Sequence, residues 1–478
     1  MPFDWLKSFR GRTRRRISNH FGFHVDRLEN ITLLSPTPVG PKYRVNTYTT
    51  GDQAGAAVAM DDEGNYIVVW ESNGHPGLTL GVFAQRYNSA GEPIGTEFQV
   101  DTPPLSNQSP PALISFIDVA MDPDGDFVVV WKNQISKGLM FRRFNSEGIA
   151  QGPEVRANPS PDSDPGFMRV EMDPDGDFVI AWNEFGESYA STEPAFADIA
   201  ARCYTSDGSP KGNTFLVHPP VDGIQNLGEI AVDEQGNFAV VWQQDFFVDS
   251  TPHFDVRGRR FDSSGTPLDD EFLVASTGEN EAFDFPSVSM APNGDFVVTW
   301  NVELSNNVST YAINAYARLY SADGSPKGTS FSIKSSGSEY YGPIVTATDD
   351  AGNFVAIWTE NFADIRGQTF DPSGNPVGSE FLVSETLILK QDYPLIAMAP
   401  RGNFVAVWRS TDFNGDGVFS QRMQAAHESN LAVWRSSRFY LDSNHSDTWN
   451  GSTIDTLNTF GSSTDTPIAG DWNGDGYT

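Results

Sequence analysis

The stretch IDVAMDPDGDFVVVW, from Ile117 to Trp131, reads as two short strands joined by an acidic turn that contains a glycine. Gly and Asp accept the positive φ angles that a tight hairpin demands, so Asp122 to Gly125 is the turn and the flanking apolar runs are its strands. Side chains alternate along a strand, which sends Phe127, Val129 and Trp131 to one face and Val128 and Val130 to the other. All five are apolar, so this strand is expected to be buried on both faces.

The pattern Gly-[Asn/Asp]-[Phe/Tyr]-x-x-x-Trp occurs seven times, as GNYIVVW, GDFVVVW, GDFVIAW, GNFAVVW, GDFVVTW, GNFVAIW and GNFVAVW. The copies end at Trp70, Trp131, Trp182, Trp242, Trp300, Trp358 and Trp408. A fixed period of this length points to one supersecondary unit repeated, rather than to several unrelated domains.

Each unit continues into a third strand that ends on an aromatic residue, seen in GVFAQRYN, IAARCYT, DVRGRRFD, NAYARLYS and DIRGQTFD. A turn such as SAGEPIG or PSGNPVG leads to a fourth: EFQV, TFLV, EFLV, SFSI and EFLV. Four short strands per unit, with both faces apolar, resemble the blade of a β-propeller, in which each small sheet packs between its neighbours. The fold class is therefore all-β, a seven-bladed propeller of four-stranded blades.

The seventh unit has no fourth strand after about Met423. KYRVNTYTTGDQAG, from Lys42, looks like a fourth strand with nothing of its unit before it. Residues Lys42 to Asn46 are expected to complete blade seven, closing the ring as in WD-repeat propellers and leaving no bare edge. This divides the chain into a basic, largely disordered arm (1–41), the propeller (42–424) and an incomplete second β domain (425–478).

The 31 Lys and Arg against 63 Asp and Glu give a formal charge of −32. Residues 1–30 hold seven of the cations and three of the anions, leaving 24 − 60 = −36 on the remainder. An acidic body repels phosphate backbones, which argues against nucleic acid as a partner. No apolar run has the length of a membrane-spanning helix. The single cysteine, Cys203, excludes an internal disulfide and a cysteine-based metal site.

Within the basic arm, DRLENITLLS, Asp26 to Ser35, resembles the LEPRxLL-type motif of large exported planctomycete proteins, and that resemblance implies an extracellular or cell-surface location. The tail from Leu431, with AVWRSSRFYLDSNHSDTW and FGSSTDTPIAGDWNGDGYT, resembles the opening of an FG-GAP or VCBS-type repeat. The resemblance implies calcium ligands at Asp471, Asn473 and Asp475, and a sequence that reads as the front of a longer chain.

A second Asp-x-Asn-x-Asp-Gly run, DFNGDG, offers Asp412, Asn414 and Asp416 as oxygen ligands for Ca²⁺ around a sharp glycine turn. The DPDGD turns at Asp122 to Asp126 and Asp173 to Asp177 have the same flavour, but Asx-turn geometry accounts for them. Two residues before the third strand's last aromatic, or before Met423, every unit carries Arg or Gln: Gln85, Arg142, Arg202, Arg259, Arg318, Gln368 and Gln421. Such a ring either satisfies backbone carbonyls or binds an anion.

Signs of catalysis are sparse. A sialidase Asp-box, Ser-x-Asp-x-Gly-x-x-x-x-Trp, fails because Asp124 adjoins Gly125. The seven histidines, His20, His24, His75, His218, His253, His427 and His445, show no metal spacing and no nucleophile partner. The expectation is a monomeric, exported, non-catalytic binding, scaffold or adhesion module for a protein or glycan, stabilised by calcium. The alternative is a propeller hydrolase or lyase acting on carbohydrate at one mouth of the ring.

Overall fold

The computed structural model describes residues 35–73, 80–102, 117–133, 136, 138–159, 164–185, 197–219, 223–248, 251–276, 281–304, 312–334, 343–361, 364–384, 390–412, 415–425, 432–435, 438–441 and 456–459. Seven four-stranded antiparallel sheets account for residues 37–424. Blade one runs Gln53–Met60, Tyr66–Asn73, Leu80–Tyr87, Pro93–Gln99, and the others repeat that order.

The first strand of each blade touches the first strand of the next, and that of blade seven returns to that of blade one. These inner strands are Gln53–Met60, Ile117–Met121, Asp164–Met172, Ile224–Val232, Glu281–Met290, Val345–Thr348 and Gln391–Met398. They enclose an axial channel. Its hairpin end carries the short turns between first and second strands; the other end, where the inner strands begin, is called the loop end.

Blade seven is Gln391–Met398, Phe404–Asp412 and Gly415–Gln424, completed by Thr37–Arg44. The closing strand pairs Thr37 with Gln424 and Arg44 with Phe419, with a register shift between Val39 and Tyr43. It begins earlier than the expected Lys42, since Pro38, Gly40 and Pro41 read as loop in sequence. Gly40 takes a φ of 71° inside that irregularity, which lets the chain bend and still return to the ladder. Beyond Arg44 the joint continues, because Val45 N donates to Val418 O at 2.8 Å and Val418 N to Asn46 Oδ1 at 2.9 Å.

The apolar core is seven separate clusters, one in each seam between blades. Phe127, Val129 and Trp131 fill the seam with blade one, while Val128 and Val130 fill the seam with blade three, as strand alternation requires. Within blades the Phe or Tyr that opens the second strand stacks on the aromatic that ends the third, as in Phe127–Phe144 at 4.9 Å and Phe354–Phe370 at 4.8 Å. The hairpin aspartates accept from their own turns: Asp122 Oδ1 from the amides of Asp124 (3.0 Å) and Asp126 (2.9 Å), Asp173 Oδ1 from those of Asp175 and Asp177 (both 3.0 Å).

A three-stranded antiparallel sheet, Ala432–Arg435, Arg438–Leu441 and Thr456–Thr459, belongs to a second compact unit. Among the described residues no helix is long and apolar enough to cross a membrane.

Candidate functional site

A cavity of about 260 Å³ occupies the axial channel and is lined by the inner strands of all seven blades. Fourth from the end of each inner strand, blades one to seven carry Ala57, Asp118, Arg169, Glu229, Ser287, Val345 and Leu395. Second from the end they carry Ala59, Ala120, Glu171, Ala231, Ser289, Ala347 and Ala397. Three adjacent blades, two to four, thus place three carboxylates and a guanidinium where the other four place small, hydroxyl or apolar side chains.

The charged groups are tied across the blade seams. Arg169 Nε lies 2.8 Å from Glu229 Oε1, and its Nη1 donates to Met168 O at 2.8 Å. Asp118 Oδ2 accepts from Val170 N at 3.0 Å. The Arg169 and Glu229 side chains are 29% and 21% exposed, and Glu229 lines the cavity together with Asp118 and Glu171.

Three carboxylates share one cation in a confined space, and their acidities respond. Asp118 is raised to about 7, chiefly by burial, with Arg169 opposing and Glu229 adding to the shift. Glu171 stands well above the carboxylate range, through burial and then the charges of Glu229 and Asp118. Burial also raises Glu229, against the pull of Arg169. For Arg169, burial acts downward but Glu229 and Asp118 together lift it, so it stays a cation. The cluster therefore brings together a carboxyl group whose acidity burial weakens strongly, a second poised near neutrality and a guanidinium.

The hairpin-side mouth is acidic. Burial raises Asp62, helped by Asp61, Asp124 and Glu234; burial also raises Asp350, helped by Asp62, Asp349 and Glu234.

The residues singled out from sequence lie elsewhere. The Arg and Gln ring serves the frame: Arg142 donates to Gly152 O (3.2 Å) and, across a seam, to Val100 O (3.0 Å). Arg259 repeats this with Asp269 O and Val217 O, both at 3.2 Å, and Gln368 donates to Thr369 O and Val377 O. Arg202 and Arg318 donate to Gly212 O and Gly328 O, while Gln85 and Gln421 hold carbonyls in their own blades.

Asp412 pairs with Gly415, and Asp416 accepts from Thr411 Oγ1 at 2.7 Å and lies 3.5 Å from Arg409. Asn414, Asp471, Asn473 and Asp475 lie outside the described residues. Among the described residues no three His, Cys, Asp or Glu side chains gather as metal ligands.

Cys203 is buried, and burial pushes its thiol up to about 12, which removes thiolate chemistry. His218 is buried and accepts from Ile199 N at 3.1 Å, the task that Asn158 performs for Leu139 N at 2.8 Å in the preceding blade.

No family model matches the chain, and no curated protein does. Solved structures are similar in fold. The polysaccharide lyase Uly1 aligns over 80% of this chain and 92% of its own, with TM-score 0.52 and 10% identity. The α-L-arabinanase of Penicillium chrysogenum covers 82% and 98% at TM-score 0.42 and 11% identity. The NanB sialidase of Streptococcus pneumoniae covers 81% and 71% at TM-score 0.41 and 9% identity.

At such identities the likeness speaks for the fold. The expectation of a non-catalytic module is corrected all the same, since a frame of this kind carries a polysaccharide lyase. No constellation stands out in the loops and motifs of the sequence, whereas the clustered carboxylates sit on inner strands. One signal was available: in the aligned repeats the last four positions of the inner strand are apolar or small except at Asp118, Arg169, Glu171 and Glu229, with a few hydroxyls in blades five and six.

Proposed function

We propose that this propeller cleaves a glycosidic bond in a polysaccharide, with its acid–base groups in the axial channel. The observation that carries the reading is the departure of three adjacent blades from the repeat. A charge at a position that the fold fills elsewhere with Ala, Ser, Val or Leu is not required by blade packing. A cluster of half-buried carboxylates is costly to keep unless it does something.

In this reading Glu171, held protonated, donates to the leaving oxygen. Asp118, poised near neutrality, takes a proton from water or from the sugar. Arg169, oriented by Glu229, meets negative charge on the substrate. Paired carboxylates with separated acidities are what glycosidic cleavage needs. The cavity is smaller than the roughly 300–1,000 Å³ of a typical ligand pocket, which suits one sugar unit at a time.

The polysaccharide lyase with a similar fold supports the choice of substrate class. The basic arm with its export-like motif supports placing the work outside the cytoplasm, where such polymers lie.

The test is release of new chain ends from a panel of neutral and uronate-containing polysaccharides, with ultraviolet absorbance separating elimination from hydrolysis. Glu171→Gln should lower kcat/KM by about 10²–10⁴-fold, and Ala59→Ser, at the same position in blade one, should leave it within about twofold. A fully active Glu171→Gln enzyme, or a panel left intact by the wild type, would refute the assignment.

A further inference from the structure

From the loop end of the channel, we infer that Tyr393 is a stacking platform that receives a sugar ring at the entrance; the inference rests on the polysaccharide reading above. Tyr393 lies near the start of the inner strand of blade seven, two residues before Leu395, where the channel lining begins. The strand bulges there, since its register shifts between Asp392 and Leu395. Tyr393 takes a φ of 52°, a left-handed conformation that a bulky side chain adopts only at a cost.

Blade one shows what the bulge itself requires. Its equivalent residue, the same five positions before the strand's end, is Gly55, with a φ of 61°. The backbone is served by glycine, so the tyrosine in blade seven is not there for the turn. Nor is it there for the core, because Tyr393 is 56% exposed. Strain kept for a side chain that the fold does not bury points to something that binds it.

The surroundings fit a sugar. The Arg409 guanidinium lies over the Tyr393 ring at 4.9 Å from its centroid. Arg409 is itself fixed by two 2.7 Å hydrogen bonds to Asp392, so the ring is backed by a rigid plane. Lys390 lies 2.6 Å from Asp392, and Arg409 lies 3.5 Å from Asp416. Two cations thus balance two anions, a locally neutral patch on a chain of net charge −32. The C–H face of a sugar ring carries a weak positive edge that meets the electron-rich face of an aromatic ring, and a neutral patch does not repel a uronate.

Blade three supports the same entrance. Phe167 occupies the equivalent bulge position and is 36% exposed.

Native gels cast with xylan, arabinan, homogalacturonan or alginate test the inference with the full chain. At least one polymer should retard the wild type. Tyr393→Phe should keep that retardation, and Tyr393→Ala and Tyr393→Gly should weaken it about tenfold or more. Tyr393→Gly relieves the strained φ, so it should melt at or above the wild-type temperature, which separates loss of binding from loss of fold.

Unchanged retardation of Tyr393→Ala, or no retardation of the wild type by any polymer, would overturn the platform. Glu171→Gln separates the two readings. Retardation lost in Tyr393→Ala with no Glu171-dependent cleavage leaves the platform standing and removes the channel chemistry. Cleavage that needs Glu171 but has the same KM in Tyr393→Ala does the reverse.

Discussion

Blades two to four and blades seven and one build different parts of one channel from the same strand. In blades seven and one the fourth and second positions from the strand end are Leu395, Ala397, Ala57 and Ala59, and the seams behind them close with ordinary apolar packing. In blades two to four the same two positions hold Asp118, Arg169, Glu171 and Glu229 beside Ala120 and Ala231. Since the backbone and hairpins are alike, the difference cannot come from the fold. It teaches that in a repeat protein the informative residue is the one its sister copies lack.

The bluntest way to break this comparison is to open the ring that makes the two walls face one cavity. Removing residues 1–47 takes away the closing strand, with buried Val45 and the Asn46 contact to Val418. It should lower the melting temperature by about 5–10 °C and broaden the transition. An unchanged melt would mean that the joint contributes nothing.

A subtler break removes the cation alone. Arg169→Met leaves Asp118, Glu171 and Glu229 without their counter-charge, which should cost about 3–5 kcal/mol in denaturant unfolding. Arg169→Met combined with Glu229→Leu, which imitates the apolar wall, should recover most of that loss. A double variant no better than the single one would show that the pair does not act as a unit.

The smallest effect sharpens the comparison through pH. Asp118 is raised from 3.8 to about 7, so the native state holds a proton that the unfolded chain releases between those values. Its contribution to stability is fully present below the unfolded value and is lost as pH rises through the native one. The wild type should therefore lose stability from about pH 4 to pH 7 relative to Asp118→Asn, by a few kcal/mol at most. Parallel pH curves for the two proteins would contradict the raised acidity.

The fold was legible because it is redundant. Seven copies of one hairpin, each with its Gly and Trp, leave little freedom, and the missing fourth strand of the last copy pointed to the N-terminal closure. The exact start of that closure was not legible, since Pro38, Gly40 and Pro41 look like loop and only a register shift lets them pair.

The candidate site was nearly invisible for a related reason. Asp118 sits inside IDVAM, an alternating strand in which one polar residue looks like a solvent face. Only the closed ring shows that this face is the channel, and that Arg169 of the next blade reaches Glu229 of the one after it. The Asp-x-Asn-x-Asp-Gly run, by contrast, stands out in sequence, and of its residues Asp416 accepts from Thr411 and lies beside Arg409.

The division of the core into seven independent seams has a further consequence for the history of such a chain. Apart from Leu395, which packs against three clusters, the inner-strand residues pack into the seams beside their own blade, so a substitution there leaves the distant seams untouched. A duplicated ancestor with seven bland blades could therefore try new chemistry in a few copies while the rest kept the protein folded.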